Sequence, residues 1–228
     1  MTTITDQELL RSIQDGFKRA LKQTDRILRS EASLAGTGLL SAKFVYEVSN
    51  EVHESIEPRP PRGRCLRVIE VRDCGKKKSG EWLVDACITE ERCHAETPPF
   101  IDRIVFAMES ESNTGQRAFD HDFAKLVHLN ADYKLYLNGL SQTTCQGMCN
   151  YITRRCEYVE TILNRVRPLG EFYFGFWPSP AKPRNGSCQS VSIWKDLLCG
   201  KWGHLNKIRL WRFDKCSRKL IRIRPEGR

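Results

Sequence analysis

The chain predicts an α/β domain in which a mixed β-sheet is flanked by helices. Two observations carry this: apolar positions switch between helical and alternating periods along the chain, and from residue 37 to 140 they follow the order helix, three strands, helix, strand. That order suits a mixed sheet covered by helices. Composition agrees. The 228 residues include 40% hydrophobic and 29% charged side chains, the balance of a globular chain able to bury a core. No run approaches the ~18 uninterrupted apolar residues of a membrane span, and the N-terminus lacks a basic start followed by an apolar stretch, so a cytoplasmic protein is expected.

Residues 6–29 carry Leu9, Leu10, Ile13, Phe17, Ala20 and Leu21 at helical spacing, with Thr5 and Glu8 suited to a capping box. After the break SLAGTG, the stripe Leu40, Phe44, Val48, Val52 predicts a second helix, stopped by the proline-rich EPRPPRG. Strands are expected at 65–72, 81–88 and 102–111, the first two joined as a hairpin through CGKKKSG. A helix striped by Phe119, Phe123, Leu126 and Val127 follows Gly115. Then come the strand DYKLYLNGL, a helix from Cys145 to Arg167, the strand EFYFGFWP at 171–178, and shorter strands near SVSIW, KIRLWRF and KLIRIR. The division expected is an N-terminal helical extension (1–36), a core (37–180) and a basic C-terminal β extension (181–228).

Ten cysteines do not define a disulfide scaffold in a chain this long, and no CxxC pair occurs. Cysteines within apolar runs, such as Cys87, read as reduced, buried residues. Cys145, Cys149 and Cys156 are the nearest approach to a zinc set but lack a fourth ligand at a familiar spacing, so reduced thiols on a helix are expected. The net charge of +9 is localised: residues 201–228 hold ten Lys or Arg and two acids, leaving 27 basic and 26 acidic residues before them. A basic patch of this kind attracts a polyanion, nucleic acid ahead of lipid; its plain alternative is a solvated terminus. KIRLWRF and KLIRIR predict a hairpin with Ile221 and Ile223 facing the body, Arg222 and Arg224 facing outward and Leu220 as an exception. Lys207, Arg209 and Arg212 extend the set of candidate phosphate contacts.

The chemistry-bearing candidates are carboxylates. Alternation along 102–111 places Val105, Ala107, Glu109 and Glu111 on one face. Asp85 sits within the apolar EWLVDACI, where an acid is costly unless something pairs with it. A hard divalent ion, Mg²⁺ or Mn²⁺, is one such partner; an arginine or backbone amides are the structural alternative, and strand-end glutamates are often simply solvated.

With EWLVD on the second strand, MESE ending the third and DFAKL in the next helix, residues 37–180 resemble the PD-(D/E)XK nuclease superfamily, the restriction-endonuclease-like fold with an αβββαβ core. The resemblance implies that Asp85 and Glu109 are the metal-binding acids and that Glu111 occupies the place of the usual lysine, an E-x-E form. It offers Lys125 as a migrated lysine, Gln116 as a group near the metal water, and Glu47 in YEVSNEV as a helix-borne glutamate, with Glu51 as its rival. A helical wheel turns Lys125 away from the Phe119–Phe123–Leu126 face and toward solvent. His121 and His128 share its side of the helix. Trp177, Trp194, Trp202 and Trp211 suit core positions better than base stacking.

The function this resemblance implies is metal-dependent phosphodiester hydrolysis, with DNA the expected substrate and the basic hairpin gripping its backbone. Its rivals are a catalytically inactive nuclease-fold protein that binds nucleic acid or regulates, which the missing lysine favours, and a protein-interaction domain whose basic tail docks on an acidic protein partner. A homo-oligomer is compatible with each.

Overall fold

Amphipathic stripes bring two helices to each face of one sheet. The structure is a computed structural model describing residues 3–30, 36–56, 63–70, 72–73, 76–77, 84–92, 100–112, 115–142, 144–179 and 207–225. Its elements run α1 (Asp6–Ser30), α2 (Gly36–Ser55), β1 (Arg64–Glu70), β2 (Arg72–Asp73), β3 (Lys76–Lys77), β4 (Ala86–Arg92), β5 (Phe100–Glu111), α3 (Gln116–His128), β6 (Tyr133–Leu140), α4 (Cys145–Val166), β7 (Glu171–Pro178), β8 (Arg209–Asp214) and β9 (Lys219–Ile223). Seven strands form a mixed sheet in the order β1-β4-β5-β6-β7-β8-β9, and β2 pairs with β3 alone. The pairs β5–β6 and β6–β7 are parallel, crossed over by α3 and α4; the remaining neighbours are antiparallel. Among the described residues no helix is long and apolar enough to cross a membrane.

On one face, Leu10, Phe17, Phe44 and Val48 of α1 and α2 bury against Ile88, Met108, Leu135 and Trp177. Phe44 stacks on Trp177 at 4.5 Å between ring centroids. On the other, Phe119, Phe123, Val159 and Leu163 of α3 and α4 cover Cys87, Ala107, Tyr136 and Phe174. Each large apolar side chain so buried contributes roughly 1.5–3 kcal/mol. Thr5 and Glu8 form the expected cap: Glu8 N–H donates to Thr5 Oγ1 and Thr5 N–H to Glu8 Oε2.

Several expectations are corrected. The second strand begins at Ala86, so Asp85 lies just outside it rather than at its middle. In β5 the register against β4 jumps so that Ile88 faces Phe106 and Thr89 faces Ile104, leaving Val105 as the extra residue of a bulge. Val105 therefore packs with α1 and α2, opposite Ala107. Cys65 is disulfide-bonded. It sits on the edge strand β1, partly exposed, unlike the free and buried Cys87. The SVSIW strand, Trp194 and Trp202 fall outside the described residues.

At Gly170 the backbone has φ 73°, and a Cβ there would stand 2.1 Å from the Ala131 carbonyl oxygen. This close approach lets the Glu171 N–H donate to Asp132 O at 2.7 Å as β7 enters beside β6. Gly170→Ala is expected to lower unfolding free energy by at least about 2 kcal/mol, read from urea denaturation midpoints.

Candidate functional site

Because β4 is antiparallel to β5 and β5 parallel to β6, the N-terminal end of β4 meets the C-terminal ends of β5 and β6. Asp85, preceding β4, thus arrives beside Glu109 and Ser110. Its Oδ2 accepts the Ser110 N–H at 2.9 Å, and its carboxyl is joined to that of Glu109 by a side-chain hydrogen bond. Glu109 is 2% exposed and faces α3. From α3, Lys125 Nζ reaches within 3.1 Å of Glu109 Oε1 and 2.8 Å of Asp122 Oδ1. Glu109 Oε1 is buried, and Lys125 is the cation that reaches it through a side-chain hydrogen bond.

Burial, then repulsion from Asp85, pushes the Glu109 carboxyl up to about 9, only partly offset by the Lys125 charge. Burial likewise raises Asp85, against the Ser110 amide. At neutral pH Glu109 is therefore protonated and donates to Asp85. Lys125 loses solvation, but its hydrogen bonds to Asp122 and Glu109, with the Asp122 charge, outweigh that loss and keep the ammonium protonated. Asp122 is lowered despite partial burial, through bonds with Lys125, His121 and Glu111.

Glu111 enters the cluster through its side-chain hydrogen bond with Asp122, while its carbonyl accepts a 3.5 Å contact from Asn138 Nδ2. Lys125 is only 26% exposed, which corrects its assignment to solvent. A wheel gives the direction of Cα–Cβ, whereas a lysine stem carries its charge several ångströms around the helix. Gln116 faces elsewhere: its Nε2 donates to Asp120 and its Oε1 accepts from Arg155. Glu47 and Glu51 are on α2, across the sheet; Glu47 accepts a bond from Gln23 and Glu51 pairs with Arg19 at 2.7 Å. Neither approaches the cluster. His121 is exposed and bonded to Asp122, and His128 is exposed at the end of α3. Sequence reasoning missed Asp122, whose i, i+3 spacing to Lys125 was a usable signal. It also missed Tyr136, whose buried hydroxyl lies in the field of Asp122, Glu111 and Glu109 without a hydrogen-bond partner.

The C-terminal hairpin forms as β8 and β9. Ile223 faces the α1 side as expected, but Ile221 is 47% exposed. Leu220 is no exception to a pattern, because it packs toward α4. Both faces of this hairpin meet the protein, so one-sided alternation does not apply. Arg212 points to the α1 face, where it pairs with Asp6 at 3.3 Å, and is thereby separated from the other candidate phosphate contacts. Arg222 lies over the Trp211 ring at 5.6 Å, Lys207 and Arg224 are exposed, and Arg209 Nη1 donates to Lys207 O.

A second group of buried acids calibrates the first. Glu90 is 3% exposed, yet hydrogen bonds from Arg103 and Arg64 overcome its burial and lower its pKa. That group is electrostatically satisfied and structural. Around Glu109 one ammonium serves Glu109 and Asp122 while Asp85 lies alongside, and the shortfall is met by a proton. Among the described residues no three His, Cys, Asp or Glu side chains form a ready metal-ligand set. The buried oxygen donors of Asp85 and Glu109, joined to each other by a shared proton, nevertheless suit a hard cation held by two carboxylates and water once that proton leaves. The architecture is thus an α/β sheet with a carboxylate–lysine cluster at its strand ends. Comparison with family models, curated proteins and solved structures finds no match to this chain.

Proposed function

We propose that the chain is a metal-dependent phosphodiesterase of nucleic acid, with DNA as substrate and a restriction-endonuclease-like core. The observation that carries this reading is the raised, proton-sharing pair Asp85–Glu109 beside Lys125, in contrast to the fully paired Glu90. Asp85 and Glu109 would hold Mg²⁺ or Mn²⁺, which supplies Lewis-acid stabilisation and a more acidic water. Asp122 holds the lysine in place, and the Ser110 amide orients Asp85. Lys125 stays cationic and is suited to stabilise charge developing on a phosphoryl oxygen rather than to act as a base. Glu111 braces Asp122.

The test is cleavage of labelled single-stranded and duplex DNA by the purified protein with Mg²⁺ or Mn²⁺, beside Asp85→Ala. Cleavage that requires metal and disappears in the variant is expected. Cleavage unchanged by Asp85→Ala, or none in the wild type with either metal, would overturn the enzyme reading.

A further inference from the structure

The register of the sheet ties the carboxylate cluster to the basic hairpin. Glu111 pairs across to Asn138, Asn138 to Phe176, and Phe176 to Arg209. One row inward, Glu109 leads through Tyr136, Phe174 and Trp211 to Arg222. Alternation keeps both rows on the face covered by α3 and α4, because Tyr136, Phe174 and Phe176 all pack there. Arg209 and Arg222 therefore emerge on the same side and at the same end of the sheet as Glu109 and Glu111. Three strand spacings separate Glu111 from Arg209, about 14 Å, and four separate Glu109 from Arg222, about 19 Å. Between them the row is uncharged: Asn138 is buried and held by the Tyr151 hydroxyl at 2.8 Å, and Phe176 is buried beneath Tyr151.

The two guanidinium groups are near enough to repel. Burial first and then Arg222 disfavour the Arg209 charge, and an anion between the two guanidinium groups would offset that penalty. Exposed Lys207 adds a third charge at this corner. At the ~3.4 Å rise of a duplex strand the path of about 14–19 Å covers about four to six nucleotides, and fewer when the strand is extended.

We propose that a single DNA strand runs along this edge, with one phosphate at the Asp85–Glu109–Lys125 cluster and another, about two to six nucleotides away, held by Arg209 and Arg222. This rests on the phosphodiester reading of the cluster. A single strand is favoured because cluster and cation pair share one line along one edge. The competing geometry uses two backbones facing each other across a minor groove of ~6 Å width.

The experiment measures binding and cleavage separately. Oligothymidylates of about two to eight nucleotides are titrated by fluorescence anisotropy with Ca²⁺, an oxygen-seeking ion, and the same series is cleaved with Mg²⁺. Affinity is expected to step up about tenfold or more once the strand spans both sites. The Arg209→Ala/Arg222→Ala protein should lose that step and reduce the salt slope by about 1.4, two phosphates at ~0.7 each. Arg209→Lys/Arg222→Lys, which retains charge and covers the case of a misfolded alanine protein, should keep most of it. A step unaffected by removing both arginines overturns the proposal. Cleavage with no length step overturns this inference alone. No binding and no cleavage at any length overturns the phosphodiesterase reading with it.

Discussion

Glu109→Gln is expected to stabilise the metal-free protein while removing its activity. In the folded chain the Glu109 carboxyl titrates at about 9; in the unfolded chain it titrates near 4.3. Between those values the folded state holds a proton that the unfolded state has released, so this group lowers stability progressively as pH rises through the window. Below about pH 4 the effect is absent, and at pH 7 it amounts to the order of 3 kcal/mol. Glutamine has the same shape, can still donate to Asp85, and carries no such penalty. The variant's advantage should be nil at pH 4 and grow toward pH 9, with a melting temperature about 5–10 °C above wild type near pH 8. Mg²⁺ should narrow the gap, since it binds the deprotonated wild-type site and competes with the proton. Hydrolysis should fall by about 10³-fold or more, ~4 kcal/mol of barrier. Thermal melts across pH with and without Mg²⁺ decide the matter. A variant less stable than wild type at every pH would mean that Glu109 is ionised and paired, like Glu90.

Much of the scaffold was legible because it is written in periodicity. The stripes Leu40–Phe44–Val48–Val52 and Phe119–Phe123–Leu126 pack as their spacing requires, and the acid within EWLVDACI does lie against Glu109. The losses have particular causes. Strict alternation could not foresee the bulge at Val105, because an extra residue is set by pairing with β4 and not by the pattern of β5 itself. Glu47 and Glu51 border an apolar stripe from either side, but the stripe does not say whether its edge meets α1 or the sheet; Gln23 and Arg19 answer that only once α1 is docked. Asp122 looked like one more surface acid in DHDFAKL, since what singles it out is the ammonium 2.8 Å away. The hairpin misled through its environment. Alternation assigns one wet face, whereas β9 touches α1 through Ile223 and α4 through Leu220 and leaves Ile221 and Arg222 exposed.

Lys125→Ala is expected to damage hydrolysis more than Glu111→Ala, the reverse of the order implied by the helical wheel. Lys125 is the ammonium within 3.1 Å of Glu109 and 2.8 Å of Asp122, whereas Glu111 reaches the acids through Asp122. Truncating the lysine removes the cation that faces the phosphoryl group in the proposed mechanism. It also leaves Glu109, Asp85 and Asp122 to repel one another, so Glu109 should hold its proton to still higher pH. Two effects then add: a loss of about 10²–10⁴ in kcat/KM at saturating metal, and an alkaline shift in the pH at which Mg²⁺ binds. Glu111→Ala removes one hydrogen bond to Asp122 and should cost about tenfold or less, with the pH profile nearly unchanged. Lys125→Arg preserves charge but replaces a compact ammonium with a planar fork, so partial recovery of metal affinity with little recovery of rate is expected. Measuring kcat/KM against pH for the three variants separates these outcomes. If Glu111→Ala proves the more damaging, and Lys125→Ala only lowers the melting temperature, the lysine is a counter-ion that holds α3 to β5 and has no part in the chemistry.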